Sequence, residues 1–278
     1  MTDILPMPPQ PTDAVTAFEH ARQARYRSRR AHTVISVTLF VLAVAGACYV
    51  GEVSMARFLT GLPGFFNYLK DITPEIRPHS VLSDLRTWYW GIGRWLTLLF
   101  DTLVMAFLGT LLGACGAFVL CFPASRNLIR STTVYFISRR LTEIARAVPE
   151  LVYAMIFVFS FGLGPFPGVL AIAIHSLGAL GKLFAEVNEN VEMSTLEGVY
   201  AAGANWYQVM RYAVVPQVLP GYVSYTLLRF EINVRAAAVV GFVGAGGIGQ
   251  ELLLVIRQFV YTDISAIVLL LILTVGSV

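Results

Sequence analysis

The chain has 278 residues, of which 56% are hydrophobic and only 13% are charged, and its mean hydropathy is +0.69. An ordinary soluble domain carries about 25% charged residues, and the apolar residues here fall in long blocks, so we exclude a water-soluble protein and predict an all-α protein embedded in membrane lipid. The formal net charge of +3 is small, and there is no stripe of basic and aromatic residues, so nucleic acid is excluded as a partner.

Six segments are predicted to cross the membrane. A hydrocarbon core of about 30 Å needs about 20 apolar residues in helical form, since each backbone polar group must be bonded within its own segment. The sequence predicts a transmembrane domain over residues 33–278, preceded by a tail of residues 1–32. The last span is short for a full crossing, which leaves a short helix and a truncated chain as alternatives. The predicted spans are residues 33–50, 95–122, 147–163, 168–185, 218–240 and 264–278.

Basic residues predict which span ends face the cytoplasm, because short cytoplasmic loops are enriched in Lys and Arg. No acidic residue lies between Glu19 and Glu52, and the loop of residues 123–142 has arginines but no acid. The tail and this loop are therefore predicted to be cytoplasmic, and residues 51–94, which mix acids and bases, to be external. Counting spans places residues 186–217 in the cytoplasm as well. A cleaved signal peptide over the first span is the alternative. The arginines of the tail are Arg22, Arg25, Arg27, Arg29 and Arg30.

The start of the third span carries three charged residues, Glu143, Arg146 and Glu150. Their spacing of three and four residues puts them on one stripe of a helix, and Pro149 is expected to loosen the helix among them. His175, in the next span, is predicted to be a hydrogen-bonded core group rather than a ligand. The cysteines all lie in apolar stretches and are predicted to be buried free thiols, so no metal site is predicted. They are Cys48, Cys115 and Cys121.

The loop of residues 186–217 contains strong helix signals. Ser194, with a glutamate three residues later, has the capping-box pattern and predicts the start of a short helix. Gly203 is predicted to end that helix, and Asn205 to cap a second one that runs to Pro216. The sequence therefore predicts two short helices across the cytoplasmic ends of the spans.

The penultimate span contains Arg229, Glu231 and Arg235. An ionisable group at membrane depth costs about 2.5–3.5 kcal/mol on insertion, so these side chains are predicted to face protein or a water-filled path. Glu231 and Arg235 are four residues apart and can pair, whereas Arg229 lies near Asn233 on roughly the opposite face.

These charged residues predict a pathway lining that is cationic and paired. An arginine fork is well suited to an oxyanion, but a paired arginine is already occupied, so at least one must stay free for an anion to bind. The alternative is that the charges only hold the spans together. The predicted lining is Arg146, Glu150, Arg229, Glu231 and Arg235.

A glycine run follows this span. Gly244, Gly246 and Gly249 fit the dinucleotide pattern G-x-G-x-x-G, but that pattern needs a preceding strand and a soluble βαβ unit. With Gly247, these glycines instead predict a break between two helical pieces at the external end of the span, where backbones can approach closely.

Glu197, Gly203 and Pro216 have the spacing of a known motif. They resemble the EAA loop of ABC importer permeases, which reads E-A-A, three residues, G, nine residues, I-x-L-P. Here it reads Glu197-Gly198-Val199, Gly203 and Ala213-Val214-Val215-Pro216. The string GFVGAGGIGQ also resembles permeases for methionine and for phosphonates, and RFEINVR, AVPE and FGLGPFPGVLAIAIHS resemble the phosphonate branch. The resemblance covers the chain from about residue 90 to its end.

The resemblance implies a type I ABC importer permease, multi-pass in a bacterial inner membrane, that moves phosphonate, phosphite or a phosphate ester. It implies a homodimer with two cytoplasmic ATPase subunits and an external solute-binding protein. In such permeases the loop docks on the ATPase, so Glu197 would make the polar contact, Gly203 the turn, and Tyr200 and Trp206 an apolar surface.

The energy source must lie outside this chain. It contains no G-x-x-x-x-G-K-[ST] motif, so ATP and Mg are expected on the partner ATPase and no cofactor or catalytic residue on the chain itself. A methionine permease and an ion-driven secondary transporter are the alternatives, although no internal repeat with matching broken spans supports the latter. A membrane enzyme is the weakest hypothesis.

Overall fold

The computed structural model describes residues 11–74, 77 and 79–277, and their regular structure is entirely helical. This confirms the all-α prediction. A π-helical turn, Met210–Val214, precedes α10, and a 3-10 turn, Gly241–Val243, follows it. The helices are α1 (Pro11–Val50), α2 (Met55–Ile72), α3 (Val81–Trp88), α4 (Ile92–Cys121), α5 (Thr132–Ala147), α6 (Glu150–Phe161), α7 (Pro165–Glu189), α8 (Met193–Ala201), α9 (Trp206–Val209), α10 (Val215–Val240), α11 (Gly247–Arg257) and α12 (Tyr261–Ser277).

Three single helices are long and apolar enough to cross a membrane: Arg25–Val50 within α1, α4 and α7. Two bent pairs meet the same test together, α5 with α6 and the run Trp206–Val243 with α11. The apolar α12 is shorter. By length and composition the described residues therefore contain three spans, or up to five if each bent pair is one span, and the predicted sixth span corresponds to the shorter α12. The number of six spans stays a prediction, and Val278 of the last one lies outside the described residues.

The predicted span of residues 147–163 is wrong in its extent. The helix there, α6, has 12 residues, or about 18 Å of rise, which is too short to cross a core of about 30 Å. It meets α5 at an angle of 85°. The break falls at Val148, whose backbone is extended, because the residue before a proline is disfavoured in the helical conformation.

The chain divides into two compact units, residues 1–68 and 69–278. In the first unit α1 runs without a break through the predicted boundary at residue 33, and none of its membrane span is buried within the chain. Residues 1–10 of the predicted tail lie outside the described residues. The division into tail and transmembrane domain stays a prediction.

The predicted external segment, residues 51–94, contains α2 and α3. At the start of α3, the carboxylate of Asp84 accepts hydrogen bonds from the backbone N–H of Arg77 and the hydroxyl of Ser80, at 3.0 and 2.9 Å. These bonds lower the pKa of Asp84, because they stabilise its ionised form. Residues 75, 76 and 78 of this segment lie outside the described residues.

In the second unit α7 is the central helix and packs against α4, α5, α6 and α10. Its contact with α4 is a glycine seam, formed by Gly109, Gly113 and Gly116. A Cβ atom on each would come within 2.6, 2.6 and 2.5 Å, respectively, of a side-chain atom of α7. Small residues let helix backbones approach closely where no hydrophobic force drives association in lipid.

The other side of α7 approaches α5 just as closely. A Cβ atom on Gly178 would lie 2.5 Å from the backbone nitrogen of Arg146 and 2.7 Å from the carbonyl oxygen of Thr142. Glycines therefore allow both close approaches: those of α4 accept side chains of α7, and Gly178 of α7 accepts the backbone of α5.

Two tryptophans, one at the end of α3 and one in the turn before α4, hold this part of the chain to α12. The indole of Trp90 donates to the carboxylate of Asp263 at 3.1 Å, and that of Trp88 donates to the hydroxyl of Ser265 at 3.0 Å. The prediction for the cysteines is only partly right: Cys121 is buried, but Cys48 and Cys115 are exposed on the helix surface.

We predict that Gly113→Ala destabilises the second unit. The added Cβ would meet Ser176 Cβ at 2.6 Å and the Ala173 carbonyl oxygen at 2.8 Å. Overpacking of this kind costs about 1–3 kcal/mol, so the melting temperature in detergent should fall by about 3–10 °C. Gly93→Ala is the matched control on the same helix, because nothing lies within 4 Å of its Cβ. Equal melting temperatures for the two variants would contradict the close packing of α4 on α7.

Candidate functional site

A buried polar cluster joins α4, α7 and α10 midway along these helices. The amide of Asn233 donates to the hydroxyls of Thr110 and Ser176, both at 2.8 Å. Thr110 donates in turn to the carbonyl oxygen of Ala106 at 2.6 Å, and these three polar side chains are at most 3% exposed. Because lipid offers no hydrogen-bond partners, the cluster holds three helices together from within.

Arg229 lies at the edge of this cluster and is half-buried. Its Nε donates to the Ser176 hydroxyl at 3.3 Å, and no ion pair among the described residues includes it. Glu150 acts on its charge at longer range. Arg229 therefore has no carboxylate within ion-pair distance among the described residues, and its binding of an anion stays a prediction.

His175 of α7 contacts the residues on both sides of the break between α5 and α6. One imidazole nitrogen, Nδ1, lies 2.9 Å from the carbonyl oxygen of Val148, and the other, Nε2, lies 3.6 Å from a carboxylate oxygen of Glu150. The prediction that His175 is a hydrogen-bonded core group is confirmed. It contacts both sides of the bend and so fixes the first turn of α6 against α7.

The predicted stripe of Glu143, Arg146 and Glu150 is wrong. The 85° bend turns Glu150 away from α5, while Glu143 pairs with Arg140 on α5 itself. Arg146 is exposed and forms no ion pair among the described residues. Of the predicted lining, the structure brings Glu150 near Arg229 and leaves Arg146 separate at the end of α5.

Glu231 and Arg235 form the predicted pair on α10. Their side chains approach to 3.3 Å, and they are 42% and 54% exposed. Arg229 and Asn233 occupy the inward face of the same helix, as the spacing predicts. A charged pair exposed on a membrane helix must face water or another polypeptide rather than lipid.

The glycine run produces the predicted helix break. Gly244, Gly246 and Gly247 have φ values of +91°, +80° and +73°, which L side chains rarely adopt, and the helix axis turns by 48° there. A Cβ atom on Gly249 would lie 1.8 Å from the carbonyl oxygen of Ala238, so the backbones of α10 and α11 are in direct contact. No strand precedes the run in the described residues, so the dinucleotide pattern is rejected.

The predicted capping box at Ser194 is wrong. The helix α8 begins at Met193 with Glu192 at its N-cap, and the Ser194 hydroxyl donates to the Glu192 carboxylate at 2.8 Å. The backbone N–H of Glu192 is held by the side chain of Gln217 at 3.1 Å, a contact between residues far apart in sequence that the local pattern does not contain.

The turn after α8 forms as predicted, but the next helix does not stop at Pro216. Gly203 has φ +84°, and Asn205 forms a capping box with Gln208. From Trp206 the helix continues through the π-helical turn into α10, up to Val243. Pro216 therefore lies inside this continuous helix, directly after the π-helical turn, where the backbone hydrogen bonding departs from the regular α-helical pattern.

The predicted docking residues differ in exposure. Glu197 and Tyr200 are exposed, and Leu196 beside them is buried and anchors α8 in the core. Trp206 is half-buried, and its indole donates to the carbonyl oxygen of Leu128 at 2.9 Å. The indole of Trp206 is therefore partly packed within the fold and partly exposed at the surface. The coupling role of these residues stays a prediction.

A polar groove of about 650 Å³ lies between this hairpin and the preceding loop. The sequence did not identify this groove, because its two walls are more than 60 residues apart; the arginines of the loop were its only signal. Sequence reasoning also missed Thr110 and Ser176 as partners of the charged span. The groove is lined by Asn127, Leu128, Ile129, Arg130, Ser131, Tyr200, Ala204, Asn205 and Trp206.

Broken helices and charged side chains at membrane depth are features of a transport permease. A family model described as "Binding-protein-dependent transport system inner membrane component" matches residues 117–278. The chain belongs to this family, and is thus a multi-pass inner-membrane permease subunit of an ABC importer.

Curated relatives agree with this family. The "Phosphite transport system permease protein PtxC" of Stutzerimonas stutzeri is 37% identical over 86% of this chain and 83% of its own length. The "Phosphate-import permease protein PhnE" of Mycolicibacterium smegmatis is 39% identical over 64% of this chain and 33% of its own. The "Putative cryptic phosphonate transport system permease protein PhnE2" of Escherichia coli is 49% identical over 39% of this chain and 88% of its own.

Solved structures confirm the type I importer permease fold. An inward-facing structure of the MetNI methionine ABC transporter superposes with a TM-score of 0.56 at 20% identity, over 67% of this chain and 90% of that one. An amino acid ABC transporter gives a TM-score of 0.54 at 17% identity, over 68% and 92% of the two chains.

We predict that Asn233→Ala and Ser176→Ala are energetically coupled. In a double-mutant cycle of unfolding in detergent, the interaction energy should be about 0.6–1.7 kcal/mol, the range for hydrogen bonds between membrane helices. Asn233→Ala with Thr274→Ala is the control pair, because Thr274 bonds only within α12, to Leu270. Additive effects for the first pair would show that the buried cluster does not hold α7 to α10.

Proposed function

We propose that this chain is the permease of an ATP-driven importer of small tetrahedral phosphorus oxyanions, namely phosphonate, phosphite or a phosphate ester. It works as a homodimer with two cytoplasmic ATPase subunits and an external solute-binding protein. The chain itself is not an enzyme and holds no cofactor, and ATP and Mg are bound by the partner ATPase. The permeases named for phosphite and phosphonate transport among its relatives support this substrate class.

The observation that carries the proposal is Arg229. A half-buried guanidinium in a membrane helix, without an ion pair among the described residues, is a cation that lacks a direct counter-charge, since Glu150 acts on it only at longer range. A phosphorus oxyanion supplies that charge together with two oxygens that match the planar fork. The bond to Ser176 holds Nε and leaves the terminal nitrogens for the solute.

The arrangement of loops supports a common side for the coupling region. The indole of Trp206 bonds to the carbonyl oxygen of Leu128, so the basic loop of residues 123–131 and the α8–α9 hairpin lie on the same side of the membrane. The excess of arginine in that loop assigns this side to the cytoplasm. By span count the N-terminus then lies in the cytoplasm too, and the exposed Glu197 and Tyr200 are positioned for the ATPase.

The exposed pair of Glu231 and Arg235 supports a second permease subunit. It lies within a membrane helix yet is about half exposed on the single chain, so it needs a polar partner that lipid does not offer. A second copy across the translocation pathway provides that partner.

We predict that Arg229→Gln abolishes most uptake of phosphite by the complex reconstituted in liposomes. Loss of a charged hydrogen bond of about 1.5–3 kcal/mol lowers uptake by about 10- to 100-fold. Arg229→Lys should retain part of it, because a point charge remains without the fork. Arg257→Gln is the control, since this exposed arginine is at the end of α11 and outside any ion pair of the described residues. Full phosphite uptake by the Arg229→Gln variant would contradict the proposed substrate. Import of methionine but not of phosphite by the wild-type complex would contradict it as well.

We predict that Glu197→Ala uncouples ATP hydrolysis from substrate. In the complex with its ATPase and binding protein, hydrolysis should lose its stimulation by phosphite, because the exposed carboxylate is the polar contact to the ATPase. Gly198→Ala is the control in the same turn: nothing lies within 4 Å of its Cβ, and alanine stabilises a helix interior by about 0.5–1 kcal/mol over glycine. Uptake by the permease alone, without ATPase, would instead identify a secondary transporter.

A further inference from the structure

The N-terminal part of α1 presents a basic face. A helix advances about 100° per residue, so side chains spaced three, four, seven and eight apart lie on the same side. Four arginines and two aromatic residues share that side and line one groove of about 700 Å³ together with the residues at the start of the apolar stretch. We define this basic face by Phe18, Arg22, Arg25, Tyr26, Arg29 and Arg30.

Among the side chains that the structure describes, no carboxylate pairs with these arginines. No acidic residue occurs between Glu19 and Glu52, and no ion pair of the described residues includes an arginine of the basic face. The arginine side chains are all exposed, and so are Phe18 and Tyr26 at 65% and 59%. The face therefore combines exposed arginines, which have no ion pair among the described side chains, with aromatic rings.

The position of the basic face along α1 determines what it meets. The apolar stretch from Thr33 to Val50 has about 27 Å of helical rise, close to the thickness of the hydrocarbon core. Arg30 and Arg29 then lie about 4.5 and 6 Å outside the core, within a headgroup layer about 5–7 Å thick. The backbone of Arg25 lies about 12 Å outside the core, beyond this layer, and its long side chain can reach back toward it. Because α1 is one uninterrupted helix, the arginines are held at these depths.

We propose that the basic face binds the phosphate groups of anionic phospholipids. The arginine fork donates two parallel hydrogen bonds to a phosphate, and aromatic rings such as that of Tyr26 are favoured at the membrane interface. A juxtamembrane cluster of this size is sufficient for selective binding of acidic lipid. The depth of Arg29 and Arg30 favours lipid over an acidic surface of the ATPase, which lies outside the headgroup layer.

The test compares spin-labelled phosphatidylglycerol with spin-labelled phosphatidylcholine on the full chain in nanodiscs. The wild type should prefer phosphatidylglycerol, and Arg25→Gln with Arg29→Gln should lower that preference by about fivefold for each arginine. Replacing both by lysine should keep most of it, and added salt should weaken it. Arg57→Gln with Arg86→Gln is the control; Arg57 is paired with Glu52 at 3.1 Å, so this double variant should change little.

Four results would overturn the proposal. One is equal binding of the two lipids by the wild type, and another is an equal loss in the arginine variant and its control. The third is an arginine variant that keeps its lipid preference but no longer co-purifies with the ATPase, which would assign the face to that partner. Displacement of the lipid by millimolar inorganic phosphate would likewise show that the site takes free phosphate. Circular dichroism of each variant establishes that α1 remains helical.

Discussion

The close approach of α7 to α4 and α5 is the contact on which the second unit depends. Gly113 lets α4 come so near that a single added carbon would meet the Cβ of Ser176, and the hydroxyl of that same serine holds Asn233 and Arg229. Gly178, half a turn further along α7, admits the backbone of α5 at Arg146. The helix packing and the polar cluster therefore share a residue, because Ser176 lies at a close helix crossing and also accepts the hydrogen bond from Arg229.

The charges of the membrane helices fall into two groups with different consequences. Glu231 with Arg235 and His175 with Glu150 have partners, and groups with partners are less costly in a low-dielectric medium. Arg229 has only hydroxyl contact among the described residues. A cation without an ion pair in a membrane helix is costly unless a ligand or water contacts it. The position of Arg229 is therefore more informative about the solute than the positions of the ion-paired residues are.

Apolar block length could predict most of the spans, since the thickness of the hydrocarbon core fixes the number of helical residues needed. Local chemistry likewise predicted the Asn205 cap, the turn at Gly203 and the break at the glycine run. The failures share a cause: contacts between distant residues decided them. The bond from Glu192 to Gln217 moved the start of α8, His175 fixed the bend at Val148, and Trp206 turned toward Leu128. None of these pairs can be predicted from the residues that neighbour it in the sequence.

The continuity of the helix from Trp206 to Val243 has a mechanical meaning. Asn205 and Arg229 lie on one continuous helix, about 36 Å apart at about 1.5 Å per residue. A movement of the α8–α9 hairpin is therefore transmitted along this helix to the arginine. If the helix tilts by about 10° about one end, its other end moves by about 6 Å, which is comparable to the rise of one helical turn. No flexible linker lies between the two ends to absorb this movement. The π-helical turn at Met210–Val214 is where this helix bends most easily. Its stiffness therefore determines how much of a displacement at the hairpin reaches the guanidinium of Arg229.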